Sequence, residues 1–278
     1  MNNSDYSALL KIAIRTSVEA GRIILEYYSN NYEITYKEDA SPLTSADIAA
    51  NKHICNSLLP TNIPLISEEE KDVPFKIRQK WDEYWLIDPI DGTKEFINRN
   101  GQFTVNIALI KNQQPHIGVI YIPVSEELYF GLAGFGSFKM HKNVSLSDIN
   151  HQPFEYLLQH SDKLPTTFNT SIIKIIVSKS HLNQETTDLI SVIKSGFPKI
   201  ELIQIGSSLK FCRLAEGEAH YYPRSSRTME WDTAAGHAIA AFAGINVLNL
   251  SDKKPLTYNK ENLENPSFIA FNELLPFE

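Results

Sequence analysis

The stretch WLIDPIDGTKEF, Trp85 to Phe96, sets an apolar run against a polar turn. The residues Tyr84 to Ile87 read as a buried strand, so Asp88 stands at its C-terminal end. That is the edge at which ligand sites gather in layered α/β folds. Pro89 fixes its own φ. Gly92 lets the backbone approach a ligand closely or take a positive φ. A helix beginning near Thr93 would turn free N–H groups to the same spot, a suitable seat for a phosphate. Two carboxylates, Asp88 and Asp91, would repel that phosphate. A hard divalent cation between them removes the conflict, and magnesium favours carboxylates together with phosphate oxygens. The same letters also describe an Asp-Pro turn leading into a helix cap, and the stretch alone does not choose.

Other acidic groups bear on the choice. The short β-like run IPLIS ends in the acidic residues Glu68 to Glu70, of which Glu68 is the first carboxylate after the serine. A run of glutamates is by itself an ordinary solvated feature. In EWDTAAGHAIAAFAG, Asp232 opens a helix of small residues, where Asp is also a routine cap. Upstream, SPLTSAD predicts a helix starting near Thr44 or Ser45, both good N-cap types, with an apolar stripe of Ala50, Ile54 and Leu58. Asp47 falls on that stripe and should face inward, at the positive end of the helix dipole. Acidic groups at three element ends, one of them with a Gly-Thr turn, match what a multi-metal phosphoester site needs.

The rest of the chain supplies the frame. Leu10, Ile14, Val18, Gly21, Leu25 and Tyr28 recur at three or four residues and predict one long helix. A polar turn, KEDASPLTSAD, follows it. FTVNIALI, HIGVIYIP and ELYFGLAG predict an antiparallel meander. Residues 143–170 are polar, with scattered Pro and Asn. They divide an N-terminal α+β half, 1–150, from a C-terminal α/β half, 151–278, within one catalytic unit. The second half alternates: IIKIIVSK, a helix over 184–195, IELIQI, a helix over 207–216, AHYYP, a helix over 232–243, and INVLNL. Such alternation packs helices on a sheet, and the chain reads as an α/β protein in layers.

The 278 residues, 42% hydrophobic, are ample for a large core. The net charge of −7 does not suit a polycation that binds a nucleic-acid polymer by bulk charge. Cys55 and Cys212 have no zinc spacing and read as buried structural thiols in a reducing cytosol. The N-terminus reads as an amphipathic helix and not a signal peptide. No run reaches the length of a membrane span. Peripheral attachment to the cytoplasmic face of the inner membrane stays open, as does the choice between monomer and homodimer.

Glu68, the run DPIDGT and the late WDTAAG together resemble the inositol-monophosphatase superfamily of metal-dependent, lithium-sensitive phosphatases. Lys94-Glu95-Phe96 after DGT, then INRNGQFTVNIALI, SPLTSAD, GSSLKF and YYPRSSRTMEWDTAAG, are similar to its CysQ-type 3′(2′),5′-bisphosphate nucleotidases. The resemblance implies a layered αβαβα sandwich of the inositol monophosphatase and fructose bisphosphatase type. It implies a cytoplasmic enzyme that converts adenosine 3′,5′-bisphosphate to AMP and phosphate, with 3′-phosphoadenylyl sulfate as a further substrate, in sulfur assimilation and nucleotide recycling. It implies two or three Mg²⁺ ions held by Glu68, Asp88, Asp91, Asp232 and the Ile90 carbonyl. Thr93, with Asp47, would orient and help deprotonate the attacking water, and Glu68 would contact it. Gly92 and Thr93 would hold the scissile phosphate, among Glu68, Ile90, Asp91 and Asp232. Ser207, Ser208, Lys210 and Arg224 would meet the rest of the nucleotide, and Tyr222 would pack on the base. Ser207 and Ser208 read equally as a plain helix cap, and Arg224 as a surface ion pair. Two alternatives remain within reach of these residues: an inositol or broad sugar-phosphate phosphatase, and a non-catalytic sensor of a phosphorylated nucleotide.

Overall fold

The computed structural model describes residues 3–30, 32–37, 42–167, 169–178, 183–272 and 274–275. Helix α1 (Asn3–Ser29) is followed by a hairpin of β1 (Ile34–Tyr36) and β2 (Pro42–Thr44). The tip of the expected KEDASPLTSAD turn, residues 38–41, lies outside the described residues. Next come α2 (Ser45–Leu58), β3 (Leu65–Ser67), the single turn α3 (Phe75–Arg78), β4 (Glu83–Asp91) and the short α4 (Thr93–Ile97). The meander is β5 (Thr104–Lys111), β6 (Gln114–Ile122), β7 (Glu127–Leu132) and β8 (Gly136–Met140). Then α5 (Leu146–His151), α6 (Phe154–Gln159) and β9 (Ser161–Lys163) occupy the polar stretch that divides the two expected halves. The first sheet has the order β3-β4-β5-β6-β7-β8-β9, parallel only between β3 and β4. It therefore runs on to Lys163.

The second sheet begins with β10 (Ile173–Ser178), followed by α7 (Gln184–Ser195), β11 (Ile200–Ile205), α8 (Leu209–Glu216), β12 (Tyr221–Arg224), α9 (Glu230–Ala241), β13 (Ile245–Asn249) and β14 (Phe268–Asn272). The end of the expected IIKIIVSK strand, Lys179, lies outside the described residues. The strand order is β11-β10-β12-β14-β13, with β14 antiparallel to both neighbours. Nothing after Leu250 is assigned from the sequence alone, yet β14 is inserted between β12 and β13. Sequential strands are neighbours only about two-thirds of the time, and here the last strand separates β12 from β13.

The alternation of strand side chains sorts the core into layers. On the first sheet, Trp85, Ile87, Val105 and Ile107 face Leu10, Ile14, Ala50 and Ile54 of α1 and α2. The opposite face, Tyr84, Leu86, Ala108, Ile110 and Ile120, packs with Phe211, Leu214, Ala235 and Ile239 of α8 and α9, and with Tyr222, Phe268 and Ala270 of the second sheet. That sheet's far face, Ile175, Tyr221 and Ile269, is covered by Ile190 and Ile193 of α7. The result is the αβαβα sandwich. Each fully buried Leu or Ile adds about 1.5–3 kcal/mol, so the two inner interfaces fix α8 and α9 firmly between the sheets. Helix α9 lies close because β6 carries Gly118, where a Cβ would stand 2.5 Å from the Ala235 carbonyl oxygen and 2.6 Å from the Ala238 Cβ.

Three boundaries differ from those expected. Strand β4 does not stop at Asp88; after a bulge it continues until Asp91 pairs with Thr104. A bulge bends the strand and re-aims its side chains. Helix α8 starts at Leu209, and α9 starts at Glu230, which makes Asp232 its third residue. Cys212 is buried, but Cys55 is only half-buried. Among the described residues no helix is long and apolar enough to cross a membrane.

Candidate active site

Five element ends meet at one place. Helix α2 delivers Asp47 from its third position, where a capping box ties it to Thr44. The Asp47 Oδ2 accepts the Thr44 N–H at 2.8 Å and the Thr44 hydroxyl at 2.5 Å. Its Oδ1 accepts the Thr93 hydroxyl at 3.4 Å, and the same hydroxyl is 3.3 Å from the Ile90 carbonyl oxygen. Thr93 is the first residue of α4, and its cap, Gly92, has φ 92°. A side chain there would be strained and would also crowd Gln102 and Ser207. Strand β3 leads to Glu68, β4 carries Asp88 and Asp91, and Asp232 accepts the Met229 N–H at 2.8 Å at the start of α9.

Glu68, Asp88 and Asp232 bring one carboxylate oxygen each to within 4.8 Å of one another. Asp88 is 1% exposed, and its Oδ1 has no hydrogen-bond partner. Burial and the charges of Glu68, Asp91 and Asp232 push its carboxyl far above the usual range. Burial also raises Asp91 to about 6, partly offset by Lys210 and by a hydrogen bond from the Ser208 N–H. Asp232 is raised to about 8, by burial and by Asp91 and Glu68. Asp47 is raised to about 6 and Glu69 to about 7, in both cases chiefly by burial. Packing so many carboxylates together in a dry site is unfavourable unless a cation neutralises them. The oxygen-only donor set and the unpartnered Asp88 oxygen fit a hard divalent ion such as Mg²⁺.

A cleft of about 260 Å³ opens beside these groups, lined by Glu68, Asp91, Gly92, Thr93 and Asp232 together with Ser207, Lys210, Arg224 and Arg227. Carboxylates and basic groups thus share one cleft, close enough for Lys210 to favour the charged form of Asp91 and Arg224 that of Asp232. The Lys210 Nζ bonds the Ser207 carbonyl oxygen at 2.7 Å. Arg224 is buried and donates to the carbonyls of Ser226 and Arg227, so it is not a surface ion pair. The Ser208 hydroxyl is turned inward to Asn106, 2.7 Å away, leaving Ser207 on the cleft wall. Tyr222 does not present a face to a base. It is buried, edge-on to both Phe211 and Phe268. Lys94 is exposed at the mouth, and Glu95 lines the cleft.

Sequence reasoning passed over Lys37 and Glu69. The Lys37 Nζ stands 2.7 Å from carboxylate oxygens of both Glu68 and Glu69. Nothing in the local sequence signals this, because the lysine is 31 residues from Glu68 and reaches it only through the β1–β2 hairpin. Asn106 was passed over for a related reason: it sits in an unremarkable strand.

A layered sandwich with clustered carboxylates at its strand ends and a basic cleft wall defines a class of metal-dependent phosphoesterase. The chain belongs to the inositol monophosphatase family, whose family model matches residues 5–274. Within that family it is 39% identical to the 3′(2′),5′-bisphosphate nucleotidase CysQ of Salmonella typhimurium over 264 residues, covering 94% of this chain and 98% of that protein. It is 40% identical to the Escherichia coli K12 protein of the same name over 255 residues, covering 90% and 94% of the two chains. The crystal structure of CysQ from Bacteroides thetaiotaomicron superposes with a TM-score of 0.89 at 43% identity, covering 96% of this chain and 98% of that one. The Thermotoga maritima inositol monophosphatase structure, 21% identical with a TM-score of 0.73, shares the fold.

Proposed function

We propose that this chain is a Mg²⁺-dependent phosphomonoesterase that hydrolyses adenosine 3′,5′-bisphosphate to AMP and phosphate, and that it also accepts 3′-phosphoadenylyl sulfate. The observation that carries the metal chemistry is the fully buried Asp88, with an unpartnered oxygen, clustered with Glu68 and Asp232. The name shared by relatives about 40% identical over nearly the whole chain supports the nucleotide. Its two free thiols are in keeping with a reducing cytosol.

Glu68, Asp88, Asp91, Asp232 and the Ile90 carbonyl would hold two or three ions. When bound, Mg²⁺ neutralises phosphate charge, acidifies water and steadies the leaving oxygen. The chain's own part is to position and to move a proton. The Thr93 hydroxyl donates to Asp47, so its oxygen is left to accept a proton from the attacking water. As that proton arrives, the hydroxyl passes its own to the Asp47 carboxylate. A carboxyl raised to about 6 is a better acceptor near neutral pH than an ordinary aspartate. The N–H groups of Gly92 and Thr93 would hold the scissile phosphate in line. Lys210 and Arg224 line the same cleft and would meet the second phosphate.

The deciding measurement is phosphate release from adenosine 3′,5′-bisphosphate, 3′-phosphoadenylyl sulfate and inositol 1-phosphate in parallel, with Mg²⁺. Turnover of inositol 1-phosphate without turnover of the bisphosphate would overturn the substrate. Binding of the bisphosphate with no phosphate released would leave a sensor.

A further inference from the structure

We infer that Asn106 is a positioning residue for the metal site, acting on Asp91 through Ser208 from directly opposite Asp88 on the neighbouring strand. Asn106 is 1% exposed and pairs with Asp88 in the β4–β5 register. Opposed residues of an antiparallel pair project from the same face, and here that face turns toward α8 and α9, as the neighbouring Leu86 and Ala108 do. The Asn106 Oδ1 accepts the Ser208 hydroxyl at 2.7 Å and the Thr104 hydroxyl at 3.1 Å, and the two hydroxyls are 2.7 Å apart. Ser208 shares the lining of one small cavity with Asp91 and Asp232, and its N–H favours the charged form of the Asp91 carboxylate. At the other end of the same amide, Nδ2 is buried without a partner, as is the Asp88 Oδ1.

These contacts grip a strained loop. Ser207 has φ 46°, a conformation uncommon outside glycine. It is flanked by two anchors, one just before β5 and one within it: Gln102 accepts the Gly206 N–H at 2.9 Å, and Asn106 accepts the Ser208 hydroxyl. A strand of the first sheet thereby fixes the loop that enters α8 and so sets where the Ser208 N–H points. An amide buried with one end unsatisfied is unfavourable for folding alone. A residue that only packed this face would be apolar, as Ala108 and Ile110 are on the same strand. Groups that hydrogen-bond a metal-ligating carboxylate set its orientation, and their loss typically lowers metal affinity about 10–100-fold.

The inference rests on the metal-site reading, and its test separates the two. In the full-length chain, Mg²⁺ is titrated while the thermal midpoint is followed, for wild type, Asn106→Leu and Ser208→Ala. Leucine keeps the branched outline of Asn106, with methyl groups in place of its oxygen and nitrogen, and removes its polarity. Its Mg²⁺ midpoint is expected to rise about 10-fold or more, with KM for adenosine 3′,5′-bisphosphate unchanged at saturating Mg²⁺. Ser208→Ala keeps the N–H to Asp91 and deletes only the tether, so a smaller rise in the same direction is expected. A folded Asn106→Leu protein with the wild-type Mg²⁺ midpoint would overturn the role. If that variant does not fold, an unchanged midpoint in Ser208→Ala overturns it. A wild-type chain whose thermal midpoint ignores Mg²⁺ would overturn the metal-site reading itself.

Discussion

The Thr93 hydroxyl donates to the Asp47 carboxylate across 3.4 Å, joining residues 46 apart in sequence. The contact links the first residue of α4 to the third residue of α2, so both helix starts must be fixed before it can form. Thr93→Val keeps the shape and removes the hydroxyl. Loss of a positioned proton acceptor costs about 10²–10⁴ in rate. The expected result is that drop in kcat with the Mg²⁺-dependent thermal shift retained. A kcat within a few-fold of wild type would remove Thr93 from the chemistry.

Asp91→Asn tests the metal cluster. The change keeps the side-chain volume and deletes one of several mutually repelling charges. Activity should fall by more than about 100-fold, because a direct ligand matters more than its supports. The metal-free variant should melt no lower than wild type, since the carboxylate it loses is raised to about 6 by burial and so is disfavoured in its charged form. Phosphate release and a thermal melt without Mg²⁺ read the two effects separately.

Stability should depend on pH in a direction opposite to that of ordinary salt-bridged carboxylates. Glu69 and Asp232 are raised to about 7 and 8, so the folded chain holds protons that the unfolded chain has already lost. Their stabilising contribution is complete below the unfolded carboxylate range, near pH 4, and is lost as pH rises through 7 and 8. Buried His237, lowered to about 4, works the other way but only below about pH 6.5. The metal-free thermal midpoint should therefore fall between pH 7 and 8.5, and the Mg²⁺-induced shift should grow over the same range as protons are released on binding. A metal-free midpoint that rises over this window would contradict the assignment.

Gly118→Ala links packing to the site. The added Cβ would meet the Ala235 carbonyl oxygen at 2.5 Å and must push α9 away from β6. Overpacking of this kind costs about 1–3 kcal/mol. Because α9 carries Asp232, weaker Mg²⁺ binding should accompany the loss. Denaturant unfolding together with a Mg²⁺ titration checks both, and a destabilised variant with unchanged Mg²⁺ affinity would show that α9 can shift without moving Asp232.

Arg224→Met addresses substrate choice. If Arg224 meets the second phosphate, KM for the bisphosphate should rise about 10-fold, the loss of roughly one charge-assisted bond. A substrate with a single phosphate should be nearly unaffected. Equal losses on both substrates would place Arg224 in the architecture of the cleft and not in recognition.

Much of this molecule is determined by local sequence. Apolar spacing sets α1, α2, α7 and the meander, because a helix or strand face must be buried wherever its period points. The inward turn of Asp47 follows from the same phase, and Asp88 is placed by an apolar run meeting a Pro-containing turn; the choice of Thr44 over Ser45 as the cap is made by the structure. What the local signal does not reach is pairing across distance. It misses the insertion of β14, the continuation of the first sheet to Lys163, and the bulge that carries β4 on to Asp91. The reach of Lys37 to Glu68 and Glu69, the burial of Tyr222 and the inward turn of Ser208 to Asn106 depend on which elements come to lie side by side. So does the electrostatic state of the site. Each carboxylate is unexceptional in its own segment, and only their assembly from four element ends in one place makes a cation necessary.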